Sequence, residues 1–110
     1  MAFDFRNPWN GKVESARVGL ERYADGNLAV TMETFDAELQ FWEPYCSVTV
    51  NLSEYKKTNE NCAFVDTNNT PFITDVIIRN GFGIPTGRVG YSGFCMYPEF
   101  DFTKLIDKSA

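Results

Sequence analysis

Between Tyr23 and Tyr55 the chain carries six carboxylates, Asp25, Glu33, Asp36, Glu38, Glu43 and Glu54, and neither a lysine nor an arginine. Everything outside that stretch holds nine acids against ten bases, so the net charge of −5 resides almost wholly within it. Paired carboxylates can perform general acid and base work on a glycosidic bond when they stand about 5–9.5 Å apart in one cleft. No spacing here singles out such a pair. Histidine is absent from the chain, which removes the usual general base near neutral pH and the commonest metal ligand. Ser-His-Asp and Cys-His nucleophile systems are thereby excluded. The three cysteines, Cys46, Cys62 and Cys95, are too widely spaced for a zinc motif and odd in number, a pattern that suits buried thiols in a reducing compartment. The chemistry left to the acids is recognition, because a local negative field repels nucleic acid and attracts basic grooves. The chain therefore reads as a non-enzymatic binding protein with no cofactor and no metal.

Several elements must position these acids. From Lys12 to Tyr23 apolar and polar residues alternate with a period of two, Asp25-Gly26 favours a tight turn, and Leu28, Val30 and Met32 resume the alternation. That pattern predicts a β-hairpin over Lys12–Phe35. From Leu39 to Leu52 a further strand is expected, with Cys46, Val48, Val50 and Leu52 on one face and Pro44 at its start or at a bulge. Paired strands lie about 4.8 Å apart and alternate residues about 6.6 Å apart. Carboxylates on such a sheet approach the spacing of duplex phosphates. Asp25, Glu33, Asp36, Glu38, Glu43 and Glu54 form the candidate acidic surface, with Trp42 and Tyr45 as apolar anchors, since exposed aromatics beside charges mark binding hot spots.

Beyond this stretch, Ser53–Asn61 reads as an exposed loop and Cys62–Val65 as a short strand. Thr70-Pro71 marks the start of a helix of about ten residues, with an apolar face of Phe72, Ile73, Val76 and Ile77, ended by Gly81. Five glycines lie between Gly81 and Gly93, which predicts an ordered glycine-rich loop. Phe94–Tyr97 and Phe100–Phe102 read as short strands. The expected fold class is α+β: a mostly antiparallel sheet, one short helix packed on it, and that loop. The domain runs from 12 to 106, preceded by an N-terminal arm at 1–11, in which Phe3, Phe5 and Trp9 must dock in cis or on another copy. A frayed tail follows at 107–110. No apolar run spans a bilayer and no secretory signal opens the chain, so a cytoplasmic location is expected. No basic stripe interleaved with aromatics exists, which argues against direct nucleic-acid binding.

Asn61-Cys62-Ala63-Phe64-Val65-Asp66-Thr67-Asn68-Asn69 and Asn80-Gly81-Phe82-Gly83-Ile84-Pro85-Thr86-Gly87-Arg88, continued by Gly90-Tyr91-Ser92-Gly93-Phe94-Cys95 and Tyr97-Pro98, carry a resemblance. Leu28-Ala29-Val30 and Thr49-Val50-Asn51-Leu52 fit the same pattern. Over Lys12–Leu105 the chain resembles an uncharacterised family of small acidic proteins carried by conjugative plasmids and integrative elements, a domain of unknown function. The resemblance supplies no catalytic residues. Mobile-element cargo of this size and acidity often counters host defence, and some such proteins look like type II anti-CRISPR inhibitors. The resemblance implies a partner with a basic groove, a host nuclease or CRISPR effector whose channel holds a guide–target duplex. The competing expectation is an accessory protein of plasmid conjugation or maintenance that assembles with itself through the aromatic arm and the Gly81–Gly93 segment. Oligomeric state is open between the two.

Overall fold

In a computed structural model, described over residues 2–109, the chain forms two four-stranded antiparallel sheets and two short helices. The first sheet has the order β1-β2-β3-β4, from β1 (Ala2–Arg6), β2 (Val13–Arg22), β3 (Leu28–Asp36) and β4 (Phe41–Ser47). The second has the order β5-β6-β8-β7, from β5 (Thr49–Val50), β6 (Cys62–Val65), β7 (Ile84–Ser92) and β8 (Cys95–Asp101). Helix α1 spans Ile73–Arg79 and α2 spans Thr103–Ser109. The α+β class and the antiparallel pairing agree with the sequence reading.

The β2–β3 hairpin forms as its pattern predicts. Gly26 takes φ +87° at the turn, Asn27 N donates to Asp25 Oδ1 at 2.9 Å, and Tyr23 N closes onto Asn27 O at 2.8 Å. This is a three-residue loop with glycine in the left-handed position. Pro44 does mark a bulge: Met32 faces Cys46 while Glu33 faces Pro44, which leaves Tyr45 without an opposite residue.

The predicted strand at Leu39–Leu52 is instead broken at Val48. Val48 N donates to Val30 O of the first sheet at 2.8 Å, and Val48 O accepts from Asp66 N of the second at 2.9 Å. One residue thus ties both sheets together, and Val48 and Thr49 are both buried where the chain passes from one to the other.

Other expectations are corrected. The residues read as an arm form the edge strand β1, paired with β2 from Ala2↔Arg17 to Arg6↔Val13. Its aromatics dock in cis: Phe3 on Phe82 at 5.2 Å, Phe5 on Tyr45 at 5.3 Å, and Trp9 on Phe72 at 5.8 Å between ring centroids. Helix α1 begins at Ile73 with Phe72 as N-cap and no side-chain cap, so Thr70 does not cap it; Thr70 O accepts from Ile73 N in the turn before it. The tail is helix α2, anchored by buried Leu105. Met1 and Ala110, the ends of the predicted arm and tail, lie outside the described residues.

The glycine-rich segment is ordered, but it is largely strand β7. The two short strands read after it are the single strand β8. Pro85 faces Phe100 and Val89 faces Pro98, so Thr86, Gly87 and Arg88 bulge opposite Glu99 alone. Gly87, at φ +89°, makes that bulge possible.

The main core is shared by both sheets and both helices, with Phe5, Val30, Met32, Val65, Ile73, Ile77, Phe100, Phe102 and Leu105 at its centre. A smaller cluster of Leu52, Phe64 and Tyr97 lies on the other face of the second sheet, beneath the 51–60 loop. That face also buries Glu99 completely. Its carboxylate accepts from Thr58 N at 2.9 Å, from the Thr58 and Thr86 hydroxyls at 2.6 Å each, and from Arg88 Nη1 at 3.3 Å. Every charge-bearing oxygen is satisfied, as burial demands. The loop and the β7 bulge are therefore fastened to one buried anion.

Candidate functional site

The geometry divides the six acids of the predicted surface. Asp25 lies in the β2–β3 turn and Asp36 at the far end of β3, a nine-residue strand about 30 Å long. Asp25 is exposed, and hydrogen bonds from Asn51 and Asn27 hold its carboxyl below the ordinary 3.8. It lines a shallow depression with Arg22, Ser53, Tyr55, Lys56 and Lys57, and Glu54 belongs to the same loop. Burial, then the nearby Arg22 guanidinium, depress the Lys57 pKa. Asp25 thus sits among bases supplied from β2 and the 53–60 loop.

Glu33 lies on the outward face of the first sheet, directly across from Arg17, whose Nε donates to its Oε1 at 2.8 Å. The same guanidinium stands 4.3 Å from the centre of the Trp42 ring, which meets Phe35 edge-on at 5.3 Å. Sheet register, unreadable from a linear count of charges, brings this base to the acid.

Asp36, Glu38 and Glu43 do converge. They line one groove at the β3–β4 hairpin together with Lys12, Glu14, Ser15 and Phe35. Asp36 is partly structural, because its Oδ1 accepts from Glu38 N at 2.9 Å and from Leu39 N at 3.0 Å. That arrangement shapes the four-residue loop and leaves Gln40 at φ 59°. Glu14 joins the acids from the neighbouring strand, held by Asn7 Nδ2 at 3.0 Å; it lies outside the acidic stretch, and only strand pairing reveals its place. Beside the groove, Leu39 is 66% and Phe41 45% exposed. The hairpin end thus offers four carboxylates, one lysine and two accessible apolar side chains.

Of the two predicted anchors, Trp42 is half-buried on the open sheet face beneath Arg17. Tyr45 points the other way. Its ring packs on Phe5 and Phe72, its hydroxyl donates to Asn7 Oδ1 at 2.9 Å, and burial pushes its pKa up to about 12. The bulge beside Pro44 turns this side chain into the core, so Tyr45 is a packing residue and not a surface anchor. Leu39 and Phe41 are the exposed apolar side chains at this end of the sheet.

Burial likewise raises the Cys46 thiol to about 11, which keeps it protonated and a poor nucleophile at neutral pH. Among the described residues no three cysteine or carboxylate side chains gather as a metal site, and no helix is long and apolar enough to cross a membrane. A family model described as "Domain of unknown function (DUF4313)" matches residues 18–108. No curated protein and no solved structure gives a match to the chain.

Proposed function

The chain belongs to the DUF4313 family, and from that premise we propose that it is a non-catalytic, mobile-element protein that docks its β3–β4 hairpin into a basic groove of a host nuclease. A CRISPR effector channel is the proposed target. The observation that carries the reading is the convergence of Glu14, Asp36, Glu38 and Glu43 beside exposed Leu39 and Phe41. Charge of one sign steers association with a basic groove, and the apolar pair supplies the desolvated centre that gives such contacts lifetime. The absence of histidine and the protonated Cys46 thiol support a role without chemistry of its own. Acids on strands also suit competition for a channel built to hold phosphates.

The test is cleavage by a guide-loaded type II effector with increasing amounts of the protein. Glu38→Lys with Glu43→Lys removes two anionic side chains without touching the Asp36 turn, and about a 100-fold weaker inhibition is expected, since like charges juxtaposed across an interface cost several kcal/mol. Asp25→Lys with Glu54→Lys, at the end where bases already gather, is expected to inhibit like the parent. The reading fails if the parent leaves cleavage unchanged, or if both double variants inhibit equally.

A further inference from the structure

The β7–β8 hairpin exposes the apolar side chains of Ile84, Val89, Tyr91, Phe94 and Met96. Ser92 faces Cys95 across the tip. Gly93 there takes φ +59°, and among the described residues Gln40 is the only non-glycine at positive φ, which makes Gly93-Phe94 a type II′ turn. Phe94 projects fully into solvent, and Tyr91 and Met96, cross-strand partners, are 51% and 54% exposed. The opposite face is fixed: a Cβ placed on Gly90 would lie 2.7 Å from Leu52 and 3.0 Å from Phe64. The hairpin therefore rests tightly on the smaller core and presents a rigid apolar face outward.

Strand β7 is also an edge of its sheet. Natural edges are protected by charge, proline, bulges or brevity. The other three conform: β1 bears exposed Asp4 and Arg6, β4 has Glu43, Pro44 and a bulge, and β5 is two residues long. In β7, Pro85 and the 86–88 bulge protect only the first half. Val89–Ser92 has no such device, and its side of the hairpin is apolar.

We propose that this edge pairs antiparallel with β7 of a second copy about a two-fold axis, joining two four-stranded sheets into one of eight. The register that keeps the apolar faces aligned brings both Tyr91–Met96 pairs onto one side of the joined sheet. Two observations select a second copy as the occupant. Each chain carries a net charge of −5, yet Ile84–Pro98 contains a single charged residue, Arg88. Its guanidinium is engaged by Glu99 and by Lys56 O at 2.6 Å, so two acidic chains can meet on this segment with no acid facing acid. The exposed apolar area is the second observation: at 150–250 Å² per aromatic side chain, Tyr91 and Phe94, 51% and 109% exposed, offer about 240–400 Å² per copy. Edge pairing covers the flanks of these rings together with Val89 and the backbone of Val89–Ser92, toward the roughly 1,200 Å² at which stable interfaces begin. This contact is separate from the acidic groove and stands whether or not that groove binds a nuclease.

Sedimentation of the full chain under reducing conditions, over a concentration series, tests the proposal. The parent is expected at twice the chain mass. Val89→Lys with Tyr91→Lys places like charges on the pairing strand and should raise the dissociation constant at least about 100-fold, with thermal melting confirming that the exposed substitutions leave the fold intact. Independently, backbone amides of Val89–Ser92 should exchange more slowly as concentration rises. A parent that stays monomeric, or a lysine variant that dimerises as tightly as the parent, overturns the proposal. So does dissociation by Glu38→Lys with Glu43→Lys, which would put the interface at the acidic hairpin.

Discussion

Removing the Glu99 carboxylate is expected to unfasten the 53–60 loop and the β7 bulge together. The residue is wholly buried and holds three short hydrogen bonds from Thr58 and Thr86 plus the Arg88 pair at 3.3 Å. The Arg88 side chain is 45% exposed, so solvent screens its attraction and it contributes least. Hydrogen bonds to a charged acceptor are worth about 1.5–3 kcal/mol each, but the anion also loses hydration on burial, so the sum is not the net effect. Each of the three threonine donors left without its acceptor costs about 1–3 kcal/mol. For Glu99→Ala we take the lower end, about 3 kcal/mol, because the freed Thr58 and Arg88 donors lie next to solvent. In a domain of this size that lowers Tm by about 10–20 °C. Arg88→Ala should cost about 1 kcal/mol, since the threonine donors remain. Thermal unfolding by circular dichroism measures both. A Glu99→Ala variant melting within about 3 °C of the parent, or an Arg88→Ala loss as large as that of Glu99→Ala, would refute the clamp.

Acid should weaken the same structure. Burial raises the Glu99 carboxyl, but hydrogen bonds from Thr58 and Thr86, with Arg88, outweigh it and hold the group below 4.5; a hydrogen bond from Thr103 likewise holds Asp101 below 3.8. A depressed carboxylate lends stability that is complete above its unfolded pKa and is lost as pH falls through its folded value. Tm should therefore hold steady from pH 7 to about 5 and decline below about 4.5, less steeply in Glu99→Gln; an equal decline in that variant would contradict the assignment. At the β3–β4 loop, Gln40 sits at φ 59°, where a side chain costs about 1 kcal/mol. Gln40→Gly should raise Tm by about 4 °C, and a lower Tm would show that its side-chain bond to Ala37 O matters more than the backbone conformation.

The elements built from local chemistry were legible. Asp25-Gly26 flanked by alternating residues signalled the hairpin, and Pro44 signalled a strand start or a bulge, of which the bulge forms. Misreadings occurred where tertiary pairing overrode local signal. Phe3 and Phe5 lie near a chain end in a segment punctuated by Pro8 and Gly11, so it reads as an arm; β2 supplies the missing partner. Glycines at 81–93 read as a loop because no local rule says that Gly90 must yield space to Leu52 and Phe64, or that Gly87 opens a bulge around Glu99. Alternation through Leu39–Leu52 is genuine, yet it cannot show that Val48 changes sheets midway.

The acidic stretch carries the sharpest version of this lesson. Charge counted along a chain measures composition, whereas the field a partner meets depends on which strands lie side by side. Here antiparallel pairing sends Asp25 and Asp36 to opposite ends of β3, places Arg17 against Glu33, and recruits Glu14 from a segment that the count left out. The result is a smaller and more polarised surface: acids gathered at the β3–β4 hairpin, bases Arg22, Lys56 and Lys57 grouped around the β2–β3 turn. At physiological ionic strength screening acts over about 8 Å, much less than the roughly 30 Å length of β3, so a partner at one end scarcely senses the other. The proposed recognition through charge is for this reason confined to the hairpin end, and the net charge of the chain is a poor guide to it.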